Sequence, residues 1–132
     1  MEILKKKDSP RYIRIEGIKS YLLASPVTCN TTHLATTLVE IEPGGKQHIH
    51  KHEPEQVYFI IEGTGKMTVG LEHQIVNSED CIFIPSKEPH GLENIGESKL
   101  RYFSAASPSF TKKELVNFWP IERKSSIEGP SD

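Results

Sequence analysis

At 132 residues, with 18 acidic against 16 basic side chains, the chain is the size of one domain and close to neutral. That balance excludes a dedicated nucleic-acid binder, which carries a basic excess, and two cysteines are too few for a disulfide scaffold. No apolar stretch approaches membrane-spanning length, so neither nucleic acid nor membrane is expected as a partner.

The chain divides into an arm over residues 1–12, a barrel domain over 13–120 and a flexible tail over 121–132. In the arm, Lys5-Lys6-Lys7 reads as solvated, while Ile3 and Leu4 either fray or pair with another subunit's sheet edge. Asn30-Thr31-Thr32 matches a glycosylation sequon, but the start of the chain shows no signal-peptide core, and a cytoplasmic location is expected. Cys29 and His33 read as loop.

From Leu34 the chain reads as short strands between turn signals. Leu34–Ile41 ends at Pro43-Gly44-Gly45, Val57–Ile61 at Gly63-Thr64-Gly65, and Lys66–Val69 at Gly70. His73–Val76 leads into Asn77-Ser78-Glu79-Asp80, and Cys81–Ile84 stops at Pro85 with Cys81 read as a buried thiol. His90–Asn94 and Leu100–Ala105 complete the series. β-branched and aromatic residues at this spacing, with no long helical pattern between them, predict an all-β sandwich or barrel. One short helix is predicted near the end, with Thr111 as N-cap, Glu114 completing a capping box, Leu115 and Phe118 as its apolar edge and Pro120 as its stop. Beyond about Ser125 the composition predicts disorder.

The segment Gly44-Gly45-Lys46-Gln47-His48-Ile49-His50-Lys51-His52 carries the chemistry. Strand alternation would place His48, His50 and His52 on one face, with Ile49 and Lys51 on the other. One histidine in such a place is more often a solvated strand end. Three on one face after a Gly-Gly turn point to a divalent metal, because imidazole lone pairs are costly to bury unbound. His90, at the head of a later strand, is fixed by the proline-rich turn Pro85–Pro89 and can converge on the same ion.

These residues resemble the two motifs of the cupin superfamily, in particular its small single-domain members. The first motif runs glycine, five residues, His-x-His, three or four residues, glutamate, six residues, glycine. Here it is met by Gly44, His50, His52 and Gly63, with Gln56 where the glutamate belongs. The second is met by Pro85, His90 and Asn94, with Glu79 and Lys87 in place of two glycines. The motifs cover residues 44–63 and 79–94, and they are specific together although each alone is degenerate.

The resemblance implies a double-stranded β-helix, or jelly-roll, barrel with a short C-terminal helix, usually homodimeric. It implies one divalent metal ion (Fe, Mn, Ni, Zn or Cu) held by His50, His52, Gln56 and His90. Glu53 or His48 remains an alternative fourth ligand, whereas alternation turns Glu55 away. His48, Tyr58, Asn94 and Tyr102 are candidates for contact with substrate or with the ligands. Ordinary barrel core is an equal reading for Tyr58, and turn capping for Asn94. The implied function is a metal-dependent enzyme acting on a small oxygen-rich or anionic metabolite, by dioxygenase, isomerase, lyase or decarboxylase chemistry. The alternative is a non-catalytic module that binds a sugar or another small metabolite.

Overall fold

The computed structural model describes residues 1–119. The predicted tail and the helix stop at Pro120 lie outside the described residues. After a single 3-10 turn at Lys6–Asp8, the strands are β1 (Arg11–Arg14), β2 (Ile18–Leu22), β3 (Ala35–Ile41), β4 (Lys46–His50) and β5 (Glu55–Glu62). They continue as β6 (Thr64–Val69), β7 (Glu72–Asn77), β8 (Cys81–Ile84), β9 (His90–Asn94) and β10 (Leu100–Ser107), followed by helix α1 (Lys112–Phe118). Every pairing is antiparallel. A six-stranded sheet runs β1-β2-β3-β10-β5-β8, and a four-stranded sheet runs β4-β9-β6-β7.

The two sheets enclose one core. Ile18, Ile41, Ile60, Ile84, Leu92 and Leu100 are buried almost completely. On β10 the burial alternates residue by residue, as a strand with one wet face requires. The jelly-roll expectation holds, and the strands from β3 onward fall where the apolar runs and turns put them. β1 and β2 were not predicted. Their polar residues Arg11, Arg14, Lys19 and Ser20 hide an alternation that buries Tyr12, Ile18 and Leu22.

Two further expectations are corrected. Cys81 is exposed, not buried, because β8 is an edge strand whose outward face carries Cys81 and Phe83 while Ile84 turns inward. The strand with the histidines ends at His50, so His52 lies in the turn beyond it. A register shift between Gln47 and His50, where β4 pairs with β9, also breaks the simple alternation that put His48, His50 and His52 on one face. Gly91 makes that irregularity possible. A Cβ there would meet the Gln47 carbonyl and the Ile49 side chain, each at 2.9 Å.

Glu79 and Lys87 hold φ angles of 75° and 67°, so both keep the left-handed turn for which glycine is the usual residue. The second turn is also a clamp. Lys87 N–H donates to the His52 carbonyl at 2.8 Å, and the Ser86 hydroxyl donates to the Glu53 carbonyl. On the same side of the barrel, Thr111 and Glu114 form the predicted capping box of α1. Leu115 and Trp119 then dock on the barrel, and the Trp119 indole N–H donates to Ser20 Oγ at 3.0 Å.

Candidate metal centre

His50 ends β4, His52 sits in the clamped turn after it, and His90 opens β9 directly opposite His50. Their ring centroids are 4.3 Å apart for His50–His90, 4.9 Å for His52–His90 and 5.6 Å for His50–His52. Each ring places Nδ1 against a backbone carbonyl: His48 at 2.8 Å, Pro54 at 3.0 Å and Glu88 at 2.9 Å, respectively for His50, His52 and His90. A carbonyl can only accept, so in the neutral ring the proton resides on Nδ1 and the lone pair on Nε2. The local chain supplies all three acceptors, each two residues from the histidine it holds.

One ligand atom from each ring lies within 4.8 Å of the others. Imidazole bonds of about 2.1 Å reach across at most about 4.2 Å, so a small closing of the rings suits them to one ion. His90 is fully buried, and its Nε2 is the one buried side-chain nitrogen or oxygen without a partner among the described residues. An unpaired lone pair costs roughly 1–3 kcal/mol in such a place unless something binds it.

Gln56 comes from the inward face of β5 and sets its amide oxygen 3.0 Å from His52 Nε2. With the His52 proton on Nδ1, two acceptors then face each other, an arrangement that a cation between them relieves. The Gln56 amide N–H donates to Ser104 Oγ at 3.3 Å, and Ser104 shares a 2.6 Å hydrogen bond with Thr37. Among the described residues no carboxylate joins the group. Glu53 turns outward to Lys87 at 3.6 Å, and Glu55 is exposed.

The other candidates separate. Tyr58 and Tyr102 are buried, stack at 4.2 Å and line a cavity of about 360 Å³ together with His50, His52 and Gln56. His48 reaches the cavity rim with an exposed ring 3.8 Å from Glu16, and its carbonyl is what holds His50. Asn94 is not at the cavity. Its amide donates to the Ile41 and Ser98 carbonyls, both at 2.9 Å, and accepts from Gly96 N–H, so it ties the end of β9 to β3 and to the following turn. Residues that sequence reading passed over include Thr37 and Ser104, and the aromatic wall of Tyr12, Phe110, Phe118 and Trp119. Strand parity with Tyr102 would have found Ser104.

Burial pushes the His90 pKa down to about 4 against the pull of the Glu88 carbonyl, and nearby His50 and His52 add to the fall. Burial also lowers His50, with the His48 carbonyl opposing and His52 assisting. Both rings are therefore neutral at pH 7, the state that offers a lone pair. Burial raises the pKa of Tyr58 and Tyr102 well above the ordinary phenol value, so both stay protonated hydrogen-bond donors.

A barrel of two antiparallel sheets with histidines converging from separate elements beside an internal cavity defines a jelly roll. The cupin domain profile matches residues 37–106, more than half of the chain, and the protein belongs to the cupin family. It is 38% identical over 82 residues to an uncharacterized protein of Methanocaldococcus jannaschii, the match covering 61% of this chain and 64% of that one, under two thirds of its length. It is 28% identical over 86 residues to an oxalate-binding protein of Thermotoga maritima, covering 64% of this chain and 70% of the other. The crystal structure of an RmlC-like cupin from Shewanella frigidimarina superposes with a TM-score of 0.72 at 17% identity, covering 88% of this chain and 96% of that one. At that identity the likeness establishes the fold alone. No helix among the described residues is long and apolar enough to cross a membrane.

The depressed His90 pKa makes the metal-free protein sensitive to acid. The unfolded chain takes up a proton near pH 6.5 and the folded one only near pH 4. Stability is thus full above about pH 6.5 and is lost as pH falls toward 4, by at most about 3 kcal/mol from this group. Urea unfolding across that window should show the loss, and His90→Gln should flatten it. An equally steep profile in the variant would remove His90 as the cause.

Proposed function

We propose that the protein binds one divalent metal ion through His50, His52 and His90, with the Gln56 amide oxygen as a further donor, and acts on a small anionic or oxygen-rich metabolite. The observation that carries this reading is the buried, unpartnered Nε2 of His90, facing two further imidazoles whose protons are held on the opposite nitrogen. A bound divalent ion supplies positive charge that polarises oxygen groups of a ligand. The chain contributes only neutral donors there, so none of that charge is cancelled and an anionic ligand is favoured. Tyr58 and Tyr102 are protonated phenols on the cavity wall that hydrogen-bond each other, which leaves one hydroxyl proton of the pair suited to donate a hydrogen bond that orients the ligand. Similarity to an oxalate-binding protein supports a small anion as the ligand class.

One observation favours the second reading, a binding module without turnover. Glu114 is the only carboxylate that lines the cavity among the described residues, and it is engaged in the cap of α1. Loss of ligand on incubation, against stable binding, separates enzyme from module.

The metal reading is tested by loading the stripped protein with Mn(II) and measuring metal after gel filtration. The expected result is one ion per chain. His90→Ala or His52→Ala should weaken binding by more than about tenfold. Gln56→Leu should weaken it less, and Gln56→Glu should hold the ion as tightly or more tightly, because a carboxylate adds charge neutralisation. Unchanged binding in both Gln56 variants would mean that Gln56 is not a ligand. Unchanged binding without His90 would overturn the site.

The protein is further proposed to be a homodimer. Phe59, Ile61 and Phe83 are 36–57% exposed on the outer face of β5 and β8, and β8 leaves a free sheet edge. Sedimentation at micromolar concentration should give two chains, and Phe83→Lys should give one. A monomeric native protein would refute the proposal.

A further inference from the structure

The cavity above the histidines is not shaped or lined for a small polar anion alone. Starting from His52, aromatic rings follow one another along one wall. Phe110 meets His52 edge to face at 5.0 Å, Trp119 follows at 6.5 Å from Phe110, and Tyr12 at 5.6 Å from Trp119. Phe118 adds a fourth ring, 5.9 Å from Trp119. The chain fixes this wall from outside the barrel. The capping box starts α1, Leu115 is fully buried beneath it, and the Trp119 indole is hydrogen-bonded to Ser20.

Phe110 and Phe118 nonetheless remain only half-buried, with apolar surface turned to the cavity. Leaving such surface wet forgoes the hydrophobic gain of the area that a ligand would cover. A two-carbon acid would cover little of it. A flat apolar ring would cover it well, because aromatic faces and edges pack in offset or T-shaped arrangements. The volume of about 360 Å³ lies in the range of small-ligand sites and accommodates a ring together with a short polar head.

We propose that the ligand is an aryl-bearing anion, with its carboxylate or enolate oxygens toward His50, His52 and His90 and its ring against Phe110, Phe118 and Trp119. This assignment rests on the metal reading above and adds to it the chemical class of the ligand body. The polar head is selected by the charge at the histidines and the ring by the aromatic wall, so neither part alone gives full affinity.

The test compares two acids with the same metal-binding head, pyruvate and phenylpyruvate, on protein loaded with Co(II). The visible cobalt bands report binding at the histidines, and titration calorimetry gives the affinities. Phenylpyruvate is expected to bind at least tenfold more tightly than pyruvate and to shift the cobalt bands. Phe110→Ala and, separately, Phe118→Ala are expected to shrink that ratio several-fold. If the protein takes up no cobalt, the metal reading fails and this proposal with it. If cobalt binds but the two acids bind equally, or neither binds, the metal reading stands and the aryl class is overturned. A tenfold preference that survives in both variants would also overturn it, by removing the wall as its source.

Discussion

Three backbone carbonyls, each accepting the Nδ1 proton of a histidine two residues away, set the chemistry of this barrel. An isolated imidazole can carry its proton on either nitrogen and can rotate. Here both freedoms are removed by acceptors that are themselves part of turns and strands. The His48 carbonyl lies in the irregular stretch of β4, the Pro54 carbonyl in the turn clamped by Ser86 and Lys87, and the Glu88 carbonyl just before β9. Nε2 is left as the lone-pair nitrogen of each ring, that of His52 beside the Gln56 amide oxygen, and the fold brings the three rings together. Such fixing of orientation from behind the ligand is how proteins usually prepare imidazole for a metal.

Around that constraint the two sheets divide the work. The four-stranded sheet supplies His50 and His90 from paired strands. The six-stranded sheet supplies Gln56 and, through Ser104 and Thr37, the buried hydrogen bonds that hold its amide. Burial lowers the pKa of His50 and His90 and raises that of Tyr58 and Tyr102. The same desolvation therefore keeps these two imidazoles neutral and the nearby phenols protonated. The segment 110–119, which contains the helix after β10, closes the wall above the site with aromatic rings, which gives the cavity an apolar side facing a polar one.

Much of this could be read from the residues. Alternating apolar runs and turn formers placed the strands from β3 onward, and the spacing of Thr111 and Glu114 placed α1 with its cap. The paired motifs singled out His50, His52, Gln56 and His90, and these four side chains are neighbours in space. Period-two reasoning failed where the backbone is not regular. His48 and His52 belong to no common strand face, since β4 shifts register after Gln47 and ends at His50. Cys81 looked like core because its neighbours are apolar, but outward-facing apolar residues on an edge strand have the same composition. The docking of Phe110 beside His52, with Trp119 beyond it, is a tertiary contact with no local signature. Glu79 and Lys87 show the opposite case, where the turn is kept although its usual glycine is not.

His50, His52 and His90 are proposed to present their Nε2 atoms to a single ion. X-ray absorption at the metal edge of the Mn(II)-loaded protein tests it most directly. The expected spectrum has a shell containing three imidazole nitrogens together with oxygen donors, reduced to two imidazoles in His90→Ala. A native spectrum with only oxygen neighbours, or with one imidazole, would contradict it.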